Sequence, residues 1–86
     1  MKRMKCPCCG NYTHIGEKEK DKLFQICKVC FWQYDEVAQN HPFEILGANN
    51  VSIMEAQENY KKFGVSEIEF KDGVRQPFVE ELPENN

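Results

Sequence analysis

Cys6-Pro7-Cys8-Cys9-Gly10 and Ile26-Cys27-Lys28-Val29-Cys30-Phe31 decide how this chain folds. Cys6 and Cys9 form one C-x2-C pair, Cys27 and Cys30 form another, and seventeen residues separate the two. That interval lies within the window of four-thiolate metal sites. Two residues between ligands let one tight turn aim both sulfurs at a point about 2.3 Å away. Pro7 pre-sets the first turn, and Gly10 permits the positive φ that closes it. The interval is long enough for a two-stranded hairpin that carries the second turn opposite the first. Lys2, Lys5 and Lys28 lie near the ligands in sequence. They would moderate a site that is net negative once four thiolates hold a divalent ion.

The chain has 86 residues, five cysteines and a formal net charge of −3. A core this small is marginal by itself. Zinc binding to such sites contributes on the order of 10–16 kcal/mol, so the metal is expected to be a condition of folding. No apolar run approaches the ~20 residues of a membrane span. Met1-Lys2-Arg3-Met4-Lys5 is basic but runs into Cys6 with no apolar stretch, so no export signal and a cytoplasmic location are expected. In a reducing compartment paired thiols favour metal over disulfide, and the odd cysteine count agrees. One structural zinc ion on Cys6, Cys9, Cys27 and Cys30 is the reading. Iron is the possible substitute, because two C-x2-C turns also make a rubredoxin-type site, although that site usually has Gly where this chain has Phe31. Cys8 is the surplus thiol. It reads as a small residue in the turn and as the one reactive cysteine of the loaded protein.

The fold class expected is small α+β: a zinc-ribbon-like β-hairpin with two C-x2-C knuckles, packed against one amphipathic helix. Residues 1–86 read as one domain, with a metal-bound β unit over about 5–32. Its strands are placed at Tyr12–His14 and Leu23–Ile26, with the charged run Glu17–Lys22 as the solvated hairpin tip. Residues 33–51 are a loop-rich connection, containing Pro42, Gly47, Asn49 and Asn50. Ser52-Ile53-Met54-Glu55 fits a capping box. Ile53, Ala56, Tyr60 and Phe63 then fall on one face of a helix over 52–63, with Glu58 and Lys62 as an i,i+4 pair. Gly64 stops it, and Val65 can fold back on Tyr60. A C-terminal extension over 64–81 has a short strand at Ile68–Phe70, a turn at Asp72-Gly73, and no regular structure near Pro77 and Pro83. Residues 82–86 form a frayed tail.

Several separated motifs carry a resemblance: Cys6-Pro7-Cys8-Cys9-Gly10, then Ile26-Cys27 with Val29-Cys30-Phe31-Trp32, then Gly47-Ala48-Asn49, Val51-Ser52, Glu55-Ala56, Asn59-Tyr60 and Phe63-Gly64. In this order, over roughly residues 6–66, they resemble the bacterial CPCC cysteine-rich family. The resemblance implies a small zinc-ribbon-like protein of bacteria and their phages, and implies no particular activity. Lys28 stands where the family often has Pro. Gln33-Tyr34 precede Asp35-Glu36 where it tends to be acidic directly after the Trp. Asn50 replaces a Gly, and Asn still accepts positive φ.

Three functions are weighed. The first is a non-enzymatic protein–protein interaction module, a small regulator of immunity or counter-defence type. Phe31 and Trp32 would cover the metal site, and Tyr34, Asp35, Glu36, Phe43 and Glu44 would form an acidic-aromatic patch for a basic protein partner. The second is a nucleic-acid-binding zinc ribbon using Lys2, Arg3, Lys5, Lys18, Lys20 and Lys22, with Tyr12 and Phe24 to stack. The net negative charge, with Glu17, Glu19 and Asp21 among those lysines, disfavours it. The third is a small metal-dependent hydrolase around His41, near Asp35, Glu36 and Glu44. Four thiolates leave no open coordination position, which makes it the weakest. His14 is a spare ligand that four cysteines make unnecessary.

Overall fold

The two C-x2-C segments fold into the same turn, and the rest of the chain is arranged around them. In the computed structural model, which describes residues 2–86, the Gly10 amide donates to the Cys6 carbonyl at 2.9 Å and the Phe31 amide to the Cys27 carbonyl at 2.9 Å. The Cys6 amide donates to the Asn11 carbonyl at 2.8 Å, and the Cys27 amide to the Trp32 carbonyl at 2.9 Å. Each knuckle is therefore a hairpin closed on itself. The residue after each pair is left-handed, Gly10 at φ 82° and Phe31 at φ 72°. Gly10 adopts this freely. For Phe31 it costs roughly 1–2 kcal/mol, offset in part by packing on Phe70, with ring centroids 4.5 Å apart.

Strands consequently pair across a knuckle instead of between knuckles, which corrects the expected hairpin of residues 12–14 with 23–26. Strand β1 (Lys2–Met4) runs antiparallel to β2 (His14–Gly16), with Lys2 opposite Gly16, Arg3 opposite Ile15 and Met4 opposite His14. The other edge of β2 is met by a side chain. The Ile15 amide donates to Gln25 Oε1 at 3.1 Å, and Gln25 Nε2 donates to the Ile15 carbonyl at 2.7 Å. Leu23–Ile26 is not a strand because Phe24 and Gln25 both oppose Tyr34. The Phe24 amide donates to the Tyr34 carbonyl and the Tyr34 amide to the Gln25 carbonyl, each at 2.8 Å. Phe24, at φ 66°, is the left-handed first residue of a bulge, and an isolated bridge between Ile26 and Gln33 follows. The charged run is not a hairpin tip either. It winds into a 3-10 turn over Glu19–Lys22. Its Asp21 carboxylate accepts from the Lys18 and Glu17 amides at 2.9 Å, which hold it below the usual carboxylate range.

The connection over residues 33–51 contains one short helix, α1 (Glu36–Asn40), capped by Asp35 Oδ1, which accepts from Val37 and Ala38 at 3.1 and 3.2 Å. Helix α2 (Ile53–Phe63) stands where the periodicity predicts it. Ser52 Oγ accepts from the Glu55 amide at 3.2 Å, and Gly64 ends the helix at φ 79°. Ile53 and Ala56 are buried and Tyr60 is half-buried, but Phe63 lies exposed, and Val65 enters the core after the turn. Glu58 pairs with Lys61 at 3.4 Å, not with Lys62. The core is built on the knuckles themselves, with Cys6, Cys27, Cys30 and Trp32 packed against Ala38, Ile53 and Ala56.

Ile68–Phe70 belongs to a 3-10 turn (Ile68–Gly73), not to a strand. A lone strand there would have no partner for its backbone groups. The C-terminal extension is tied to the knuckles: Ser66 donates to the Cys30 carbonyl at 2.7 Å, Arg75 to the Lys28 carbonyl at 3.2 Å, and Tyr12 to the Glu81 carbonyl at 2.7 Å. The tail expected to fray makes a further turn over Pro83–Asn85, and Asn86 Nδ2 donates to the Glu80 and Leu82 carbonyls at 2.9 and 2.8 Å. Among the described residues no helix is long and apolar enough to cross a membrane.

Candidate metal centre

Cys6, Cys9, Cys27 and Cys30 bring their four Sγ atoms within 4.8 Å of one another. The Cys6–Cys30 and Cys9–Cys27 sulfurs are each 3.7 Å apart. A tetrahedron with metal–sulfur bonds of about 2.3 Å has edges of about 3.8 Å, so the cage fits one ion with four thiolate ligands. Cys6, Cys27 and Cys30 are fully buried, and Cys9 is the partly exposed corner. Among the described residues this is the one group of three or more clustered Cys, His, Asp or Glu donors.

Several neighbours keep the sulfurs in place. The Cys30 amide donates to Cys27 Sγ at 3.4 Å and the Trp32 amide to Cys30 Sγ at 3.5 Å. Thr13 Oγ1 lies 2.9 Å from Cys27 Sγ. Helix α2 grips the first knuckle through Gln57 Nε2, which donates to the Pro7 carbonyl at 2.9 Å. Asn11 Nδ2 donates to the Tyr60 hydroxyl at 3.2 Å, and burial pushes that phenol above its ordinary value. Hydrogen bonds from Cys30, Cys6 and Cys9 hold the Cys27 thiol far below an ordinary cysteine, while donation to Cys27 drives Cys30 far above it. Four sulfurs this close cannot all be thiolates without a cation among them.

Cys8 is 7% exposed and belongs to the core beside the cage. The expectation of an accessible, reactive thiol is corrected on that point. Phe31 adopts the left-handed turn that Gly usually supplies, so its presence there does not count against iron. His14 is not among the clustered donors. It is fully buried against Tyr34, edge to face with centroids 5.6 Å apart, and neither ring nitrogen has a hydrogen-bond partner among the described residues. Burial, above all, lowers its pKa below that of an ordinary histidine.

The residues expected to form an acidic-aromatic patch divide into two groups. Tyr34 is half-buried beneath Lys22, whose Nζ lies 4.8 Å from the ring centroid, and Asp35 is consumed as the cap of α1. Glu36, Phe43 and Glu44 are exposed. Sequence reasoning missed Val37 and Ile45, which stand exposed with Phe43; an apolar residue in an unassigned loop gives no sign of its exposure. It also missed the devices that close this excursion. The Gln33 amide donates to Asn49 Oδ1 at 3.0 Å and Asn49 Nδ2 to the Gln33 carbonyl at 2.9 Å. Trp32 Nε1 and the Asp35 amide both donate to Gln39 Oε1, at 3.0 and 2.9 Å. Gly47 lies so close to Asp35 that a Cβ there would collide with its carboxylate.

A family model described as cysteine-rich CPCC matches residues 4–81. No curated protein and no solved structure matches the chain.

Proposed function

We propose that this chain, which belongs to the cysteine-rich CPCC family, is a zinc-ribbon-like, non-enzymatic protein that docks on a basic protein partner. In this reading Cys6, Cys9, Cys27 and Cys30 hold one structural zinc ion, and the excursion from Tyr34 to Ala48 carries the docking face. Zinc suits a closed cage of four thiolates, for which the ion needs no redox change and no open position. Iron in the same cage is the competing outcome.

One observation carries the docking role. Phe43 is 80% exposed, with Val37 at 61% and Ile45 at 62%, on a segment whose ends are pinned by the Asn49–Gln33 pair. Compact loops with closed ends tend to present binding residues, and a rigid apolar face loses little entropy on binding. Charge indicates the partner. From Val29 to Tyr60 the chain has no Lys or Arg, but it has Asp35, Glu36, Glu44, Glu55 and Glu58. The complement is an apolar pocket rimmed by basic side chains. Native mass spectrometry of protein purified without added metal tests the ion, with one zinc per chain expected and an empty or iron-filled cage counting against it. A photo-crosslinking residue at position 43 tests the face. The expected result is an adduct to one basic protein that a crosslinker at exposed Lys61 does not capture; equal capture at both positions would overturn it.

A second reading has one observation in its favour. Residues 2–28 carry Lys2, Arg3, Lys5, Lys18, Lys20, Lys22 and Lys28 against Glu17, Glu19 and Asp21, and Phe24 among them is 66% exposed. RNA or DNA binding that weakens steeply with salt would favour a nucleic-acid role. The hydrolytic reading draws no such support. His41 Nδ1 is 3.2 Å from the Val37 carbonyl at the end of α1, and Asp35 is occupied as a cap.

A further inference from the structure

We infer that Thr13 is a positioning residue of the metal centre, whose hydroxyl donates a hydrogen bond to the Cys27 thiolate and sets the strength and reactivity of that ligand. The assignment rests on the metal-binding reading above. Thr13 Oγ1 lies 2.9 Å from Cys27 Sγ, and both groups are buried. A metal-bound cysteine carries no proton, so in the loaded protein the hydroxyl is the donor and the sulfur the acceptor. Among the described residues, the other donors to the cage sulfurs from outside the cysteine side chains are backbone amides, Cys30 to Cys27 at 3.4 Å and Trp32 to Cys30 at 3.5 Å. Those amides come with the knuckle and would be present whatever the side chains. Thr13 is different, because its hydroxyl comes from outside both knuckles, from the residue just before β2.

Two consequences follow from that geometry. The hydroxyl withdraws charge from Cys27, which eases the crowding of four thiolates around a divalent ion and makes this sulfur a poorer nucleophile. It also ties the chain leaving the first knuckle to a ligand of the second. The interval between the knuckles is thereby held at the metal as well as at its ends. Outer-shell partners of metal ligands typically change affinity by about 10–100-fold.

The test compares wild type with Thr13→Ser, Thr13→Val and Thr13→Ala, using cobalt(II) as the spectroscopic probe and zinc in chelator competition. The expected result is that Thr13→Val and Thr13→Ala weaken zinc binding by about tenfold or more, and shift the sulfur-to-cobalt charge-transfer band. Thr13→Ser, which keeps the hydroxyl, should match wild type in both. If Val fails to fold, Ala and Ser still separate the hydroxyl from the methyl group. Equal affinity and unshifted bands in all four proteins would overturn the assignment. So would equal impairment in Ser and Ala, which would assign the effect to packing. A wild type that takes up neither zinc nor cobalt would overturn the metal reading itself, and is told apart because no variant would then show a charge-transfer band.

Discussion

Asn49 and Gln33 exchange two hydrogen bonds, at 3.0 and 2.9 Å, in which a side-chain carboxamide takes the place that a neighbouring strand would fill. Gln25 does the same for Ile15, at 3.1 and 2.7 Å. A carboxamide has the same donor and acceptor as a peptide unit, so it satisfies both backbone groups of one residue. Among the described residues there is one two-stranded sheet, and these amides supply sheet-like closure without further strands. Asn49→Ala should cost about 2 kcal/mol, two net hydrogen bonds, and lower the melting temperature by roughly 10 °C in a domain of this size. Hydrogen exchange should rise over residues 35–48. Unchanged protection there would show that the excursion is held by other means.

The metal cage predicts a sharper loss. Cys27→Ser should give unfolded or insoluble protein, since the core is packed around the ligands. A mutant with native circular dichroism and no bound metal would overturn the structural role of the ion. Cys8→Ala should retain one ion per chain. In the loaded wild type Cys8 should alkylate slowly because it is buried, and chelation, by unfolding the core around the ligands, should open all five cysteines to modification.

Arg75 pairs with Glu81 through two hydrogen bonds of 2.7 and 2.9 Å, and these hold the Glu81 carboxyl below the usual range. The group is depressed in the folded state, so its contribution is complete above the unfolded value of about 4.3. It is lost as pH falls through the lower native value. Glu81→Gln should flatten that part of the acid limb in a thermal-melt series, and a limb identical to wild type would exclude the pair as a source. Truncation after Leu82 should cost little stability, whereas truncation before Glu81 should cost much more, because Tyr12 and Arg75 both lose their partner.

Phe24 combines a left-handed φ of 66° with 66% exposure. Little burial is lost if the ring is removed, and glycine accepts that backbone conformation without strain. Phe24→Gly should stabilise the protein by about 1 kcal/mol, within the penalty for a non-glycine residue there. Calorimetry showing a clear loss instead would mean that the ring makes contacts in solution that outweigh the strain.

Phe43→Ser should leave the melting temperature almost unchanged, within about 0.5 kcal/mol, as for other exposed positions. Crosslinking through a photo-reactive residue placed at Ile45 should then disappear. A large stability loss would mean that Phe43 is packed and not a docking residue.

The sequence alone determined which four cysteines cluster, the helix after Ser52, the stop at Gly64 and the family. These are local or nearly local matters: ligand spacing within a turn, apolar periodicity, a cap and a left-handed stop can all be read from neighbouring residues. Only the tertiary structure decided which strands pair, because each knuckle closes on itself and β2, in the interval between them, pairs back across the first knuckle with β1. It also decided that Phe31 and Phe24 adopt backbone conformations their side chains disfavour, since Phe70 and the bulge opposite Tyr34 hold them there. The burial of Tyr34 and Cys8, the exposure of Val37, Phe43 and Ile45, and the two carboxamide clasps depend on partners ten or more residues away in the chain, or on having none. Contacts of that kind are settled by the competition for a small core, which spacing and propensity do not express.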